Sequence, residues 1–145
     1  MTDDTSDAQS LTPDDLELLR RPLYGFLSVA AGPVPAQPRP VWFEVTDAGA
    51  IQLFTEPDAL KVRRLGRDPR ASIVVAAPVG EPERWVSVAG STTVESDGAH
   101  ELVARLAARY WDLDDPVRAR QLEEILADEQ VRVVIHPEKV RRFSF

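Results

Sequence analysis

Residues 54–77 read FTEPDALKVRRLGRDPRASIVVAA, a stretch that changes character three times. Phe54 and Thr55 end a β-prone run that starts at residue 51, and Pro57-Asp58 opens a helix reaching about residue 65, where Gly66 supplies a left-handed stop. Asp68-Pro69 then turns the chain into ASIVVAA, residues 71–77. This apolar run is bounded by prolines and predicts a strand buried on both faces.

The same punctuation extends outward in both directions. Upstream, VWFEV (residues 41–45) and IQLFT (residues 51–55) flank TDAGA, whose turn chemistry predicts an antiparallel hairpin. Before them, Thr12-Pro13-Asp14-Asp15 starts a short helix and Pro22 ends it, and residues 23–31 give a first strand. Downstream, residues 85–95 (WVSVAGSTTVE) form a long strand in which Gly90 marks a bulge or bend. Leu102, Val103, Leu106, Ala107 and Tyr110 recur at helical spacing, Asp115-Pro116 opens another helix, and residues 131–135 and 140–145 are two strands separated by HPEK. Strands joined mostly by short loops, with helices inserted, predict a mainly β, α+β antiparallel barrel rather than a doubly wound parallel sheet.

At 145 residues the chain has the size of one domain, expected at 11–145 after a disordered acidic tail at 1–10 that has almost no apolar side chain to offset ordering. The tail begins MTDDTSDAQS, acidic where a signal peptide is basic and apolar, and no run is long enough to span a bilayer, so a cytoplasmic protein is expected. A net charge of −7 argues against nucleic acid as a partner. The absence of cysteine and the wide separation of His100 and His136 argue against a metal site. Both histidines are expected to be exposed or in loops. Tyr110 and Trp111 are expected to pack the helices on the barrel, with one wall of a substrate cavity as the alternative.

Against that acidic background Lys61, Arg63, Arg64, Arg67 and Arg70 crowd into ten residues. Lys61 falls in the first turn of the expected helix, where free amides, the helix dipole and an ammonium converge on one small anion such as a phosphate. Lys61 and Arg64, three apart, share a face.

The ordered series Arg39-Pro40-Val41-Trp42-Phe43, Phe54-Thr55, Lys61, Asp68-Pro69-Arg70, Ala71–Val75 and Glu83-Arg84-Trp85-Val86-Ser87-Val88-Ala89-Gly90 resembles the pyridoxamine 5'-phosphate oxidase-like, FMN-binding split barrels. The stretch LKVRRLGRDPRAS also resembles their actinobacterial branch that uses the deazaflavin coenzyme F420. The resemblance implies a homodimeric split β-barrel in which the second subunit closes the pocket. It also implies an oxidoreductase that transfers hydride to or from a small molecule with FMN or F420. By the same resemblance Lys61 and Arg39 contact the cofactor phosphate and Arg64 is a second phosphate ligand. Thr55 and Phe54 line the ribityl chain and ring, and Val41, Trp42 and Phe43 pass along the ring edge. Trp85 stands where the family has a ring-contacting glutamine, and Glu44 where it has a lysine. The chain ends Arg141-Arg142-Phe143-Ser144-Phe145, without the family's substrate-holding Trp, Arg and His, so vitamin B6 oxidation is not expected. A non-catalytic protein that binds or stores a flavin, deazaflavin or tetrapyrrole is the alternative on the same fold.

Overall fold

A computed structural model describes residues 10–145, so the expected acidic tail lies, but for Ser10, outside the described residues. Seven strands form one antiparallel sheet in the order β2-β1-β5-β6-β7-β4-β3. In chain order these are β1 (Gly25–Val29), β2 (Arg39–Val41), β3 (Glu44–Val45), β4 (Ile51–Thr55), β5 (Arg70–Ala76), β6 (Arg84–Glu95) and β7 (Val131–Ser144). Four helices accompany them: α1 (Pro13–Leu19), α2 (Leu60–Arg67), α3 (Ala99–Tyr110) and α4 (Pro116–Ala127). The architecture is the expected α+β half-barrel. Among the described residues no helix is long and apolar enough to cross a membrane.

The sheet curls around a core that includes Phe43, Leu53, Ile73, Val88 and Ile135, with Leu18 and Leu19 of α1 plugging one end. Strand β5 corrects the expectation of burial on both faces. Ala71, Ile73 and Val75 point inward, whereas Arg70, Val74 and Ala76 are exposed, because only the concave face is covered.

Three further boundaries differ from expectation, each for a local reason. Helix α2 begins at Leu60 rather than at Pro57-Asp58, because residues 56–59 make a turn and Ala59 is still extended. It runs through Gly66, which has no positive φ, and ends at Asp68, forced to an extended conformation by Pro69. The expected strand at 41–45 splits into β2 and β3, which pair with different partners.

The last two expected strands are one, β7, which carries His136 within it, exposed and 3.2 Å from Thr93 Oγ1. HPEK is not a loop but the irregularity opposite Ala89 and Gly90, where pairing jumps from Lys139 to Pro137 and Glu138 Oε1 accepts from the Ser91 amide. A proline is tolerated in a central strand at such a bulge. Gly90 is required there, since a Cβ on it would lie 1.8 Å from the His136 carbonyl oxygen.

Helix α1 is fixed by its own cap and by the far end of β7. Thr12 and Asp15 form a reciprocal capping box, and Arg142 donates to both Asp15 carboxylate oxygens at 2.8–3.2 Å. Burial of Asp15 opposes its ionisation, but hydrogen bonds from Arg142 and the Thr12 backbone outweigh it and hold the carboxyl pKa below the ordinary value. Its folded pKa is thus below its unfolded one, so the stabilisation is present above the unfolded value and is lost as pH falls through the folded one. Asp15→Asn should cost about 2–4 kcal/mol at pH 7 by replacing the ionised carboxylate that accepts charge-assisted hydrogen bonds from Arg142. Urea denaturation at pH 7 and pH 3 should show a smaller acid penalty for the variant than for the wild type; equal penalties would remove Asp15 from the account.

Candidate functional site

The order of the strands places the two sheet edges, β2 and β3, next to each other in sequence. Only Trp42 and Phe43 separate them, so the chain steps from one edge of the half-barrel to the other across two residues. Neighbouring residues in extended backbone point to opposite sides, and here Phe43 is fully buried in the core while Trp42 is half-buried.

The step leaves backbone groups without ladder partners, and one side chain meets them. The Tyr110 hydroxyl, at the end of α3, donates to the Leu23 carbonyl at 2.7 Å and accepts from the Phe43 amide at 3.3 Å. Its ring stacks on Trp42, with centroids 5.2 Å apart and planes within 3°. Trp111 meets Trp42 edge to face at 4.7 Å, and Phe54 does so at 6.3 Å. These are favourable geometries for aromatic pairs. The Arg118 guanidinium lies 4.6 Å from the Trp111 ring centroid and covers it from α4.

These aromatics wall a cavity of about 280 Å³. Pro40, Val41 and Trp42 line it from the β2 edge, Phe54 from the end of β4, Lys61 from the first turn of α2, and Trp111 and Ile125 from the helical pair. A second cavity, of about 460 Å³, shares Phe54 and Ile125 with the first and is lined by Thr55, Glu56, Glu124, Asp128 and Gln130 among others.

Four residues expected at the site, Lys61, Trp42, Val41 and Phe54, thus line one cavity, and Thr55 lines the next. Arg39 is exposed on β2, yet near enough for its charge to act on Lys61. Arg64 turns elsewhere: its Nη1 is 3.8 Å from where a Cβ on Gly32 would be. Trp85 lies outside this cavity and stacks on Phe143 at 6.3 Å, in another hollow beside Asp15 and Arg142. Of the two roles open to Tyr110 and Trp111, Trp111 takes the alternative one, a cavity wall, and Tyr110 packs against Trp42 outside the lining. Ile125 was given no role by the sequence; its place in an amphipathic helix signals partial burial but not against what.

Arg21, Arg70, Arg105, Arg132 and Arg142 all face carboxylates. Lys61, Arg39, Arg63, Arg64 and Arg67 have no ion pair or side-chain hydrogen bond among the described residues. Glu44, which stands in place of a cation, does not oppose them: Arg105 and Gln52 take up its carboxylate at 2.8 and 2.6 Å. Burial, and secondarily the charge of Arg39, pushes the Lys61 pKa down. Helix α2 has no side-chain N-cap, and of its first-turn amides those of Val62 and Arg63 go to the Ala59 carbonyl. The arrangement suits a phosphate at the mouth of a flat apolar slot.

Solved structures of other proteins share this architecture. An F420 reductase is 24% identical over 86% of this chain and 93% of its own, with a TM-score of 0.66. A putative pyridoxamine 5'-phosphate oxidase from Listeria innocua is 17% identical over 89% and 94%, with a TM-score of 0.59. The chain has the split-barrel fold of the pyridoxamine 5'-phosphate oxidase-like proteins. A FAD-binding protein from Mesorhizobium loti (20% identity, 93% and 96% covered, TM-score 0.62) and a heme binding protein from Mycobacterium smegmatis (23%, 93% and 59%, TM-score 0.57) share it too. No family model and no curated protein matches the sequence.

A half-buried ammonium without an ion pair weakens the fold that holds it. Because the folded pKa of Lys61 is depressed, the unfolded chain binds more protons between the two pKa values, and stability rises with pH across that window. Lys61→Met, which keeps the stem and removes the charge, should raise the thermal midpoint of the ligand-free protein at pH 7. A lowered midpoint would show that the amine has a stabilising partner after all.

Proposed function

We propose that the chain binds a flavin-type cofactor, FMN or the deazaflavin coenzyme F420, and uses it as an oxidoreductase acting on a small molecule. The observation that carries this reading is Lys61: a half-buried ammonium, without an anionic partner among the described residues, in a cavity walled by Trp42, Phe54 and Trp111. Solved proteins of this fold that are named for F420 and FAD support it.

The residues present fit such a group. Lys61 with Arg39 would hold a phosphate, Thr55 and Phe54 would line the ribityl chain and ring, and Val41 and Trp42 would run along the ring edge. When bound, the cofactor supplies hydride transfer. The chain's own contribution is to orient the ring, exclude water from it and neutralise the phosphate. Arg63 and Arg67 exceed what one phosphate needs, which favours the longer polyanionic tail of F420. A homodimer whose second subunit closes the pocket accords with the exposed outer face of β5 and with Trp85, which lies outside its own protomer's cavity.

Binding without turnover is the second reading. It is favoured by the cavity lining, which contains no histidine, carboxylate or hydroxyl to exchange protons with a substrate. Reduced bound cofactor that loses electrons to candidate acceptors no faster than the free cofactor would establish it.

Titration of the purified protein with FMN, riboflavin and F420 tests the main reading. FMN or F420 should bind, and Lys61→Ala should weaken that binding by about 1.5–3 kcal/mol, one charge-assisted interaction, with the fold intact. Riboflavin, which has no phosphate, should be indifferent to the substitution. An equal loss for FMN and riboflavin would place the phosphate elsewhere.

A further inference from the structure

Among the side chains around the cavity, Tyr110 is singular in touching both halves of the gap between the barrel's edges and also the cavity's central ring. Its hydroxyl holds Leu23, at the entry to β1, to Phe43, which follows β2. Its ring lies parallel to Trp42, the residue adjacent to Phe43 on the cavity side. The other face of Tyr110 is not free either, because Tyr24 stacks there at 6.3 Å and the Arg109 guanidinium lies 5.5 Å from the ring centroid.

The neighbouring residues anchor this end of α3 independently. Arg109 donates to the carbonyls of Leu19 and Arg20 at 2.9 and 2.8 Å, closing the C-terminal end of α1. Trp111 caps the helix with its amide on the Ala107 carbonyl and presents its ring to the cavity. Three successive residues therefore tie α3 to α1, to the barrel gap and to the cavity. Trp42 has no ladder bonds of its own to hold it, as it belongs to neither β2 nor β3.

We propose that Tyr110 is a positioning residue for the cavity: its hydroxyl ties the backbone at Phe43, the residue after Trp42, to Leu23 ahead of β1, and its ring fixes the plane of the indole against which a bound planar ligand lies. This rests on the reading of the cavity as a flavin-type site for its consequence, but not for the positioning itself. Tyr110 acts through Trp42 and Phe43, whereas Lys61 enters the cavity from α2, so the device acts on ring recognition and leaves phosphate recognition to Lys61.

The test compares Tyr110→Phe, which keeps the stack and removes the hydroxyl, with the wild type. In a Trp85→Phe, Trp111→Phe background Trp42 is the one remaining tryptophan, because the chain has three. Acrylamide quenching of Trp42 should rise about two- to threefold when the hydroxyl is removed, as loss of a hydrogen bond to buried backbone loosens the step. In the otherwise native chain, affinity for riboflavin and FMN should fall by up to about tenfold together, with the ratio of FMN to riboflavin affinity unchanged. Unchanged quenching overturns the proposal, whatever happens to binding. A change in the FMN-to-riboflavin ratio also overturns it, by showing that the phosphate end depends on the hydroxyl. If the wild type binds neither flavin, the functional reading fails and the quenching result still decides the positioning. Should Tyr110→Phe prove unstable, Tyr24→Leu, which removes the outer stacking partner and leaves the hydroxyl, should give a smaller rise in quenching in the same direction; no rise there overturns the role of the ring stack.

Discussion

Everything in this molecule depends on closing a curled sheet without enough strand to close it. A complete barrel has no edges, because every backbone group finds a partner around the circumference. Here the two edges are short, and they approach each other only because Trp42 and Phe43 join them covalently. The hydrogen bonds that a closed ladder would have supplied are replaced in part by one phenol hydroxyl. Closure by a side chain from a helix has a structural consequence: the helix must dock where the sheet is open. The α3 terminus and α4 therefore come to lie beside the gap, and the cavity forms between them.

The charge distribution follows the same division of labour. Several arginines elsewhere are matched by carboxylates: Arg142 grips Asp15, Arg105 takes Glu44, and Arg132 reaches both Glu95 and Asp97. Exposed pairs of this kind contribute little to stability individually, but they leave few charges seeking partners. Around α2 the matching stops. In a chain with a surplus of carboxylates, leaving a group of cations unmatched is not a matter of supply; acids lie as near in sequence as Glu56 and Asp58. Desolvation of Lys61 without a counter-ion raises the free energy of the empty protein, and a group that destabilises the apo state is retained where a ligand restores the balance.

Local features were readable from sequence where a local rule governs them. Thr12-Pro13-Asp14-Asp15 specifies a cap, the Asp-Ala-Gly turn at 47–49 specifies a hairpin, and Gly90 specifies a bulge, each through chemistry confined to a few residues. The end of α2 shows the limit of such rules: Gly66 offered a stop, but Pro69 restrains Asp68 more strongly than a glycine permits. Splitting of residues 41–45 could not be seen, because an unbroken apolar run carries no mark of where its pairing partner changes. HPEK reads as a loop because proline and charge usually interrupt a strand, and only the irregularity opposite Gly90 makes room for them. Lys61, Phe54 and Trp42 were legible as site residues through the ordered motif series. Ile125 and the hydroxyl bridge of Tyr110 were not, since both arise from contacts between elements more than 60 residues apart in the chain.

The placement of the cavity at the gap has an energetic logic of its own. A cavity inside a closed, well-packed barrel would forfeit dispersion contacts on every wall. At the gap, packing is already interrupted, and the aromatic rings that fill the interruption provide flat apolar walls at no further cost to the core. Phe43 stays in the core and Trp42 leaves it, so the same two residues complete the barrel's interior and furnish the slot's wall. Helix α4, which has no fully buried residue, contributes Ile125 to the slot and Arg118 to the face of Trp111 without being part of the core. Its anchoring comes from α3 and from its own C-terminal end, where Gln130 donates to the Ile125 carbonyl and His100 meets that of Asp128. A planar ligand entering the slot would add contacts to α4 through Ile125.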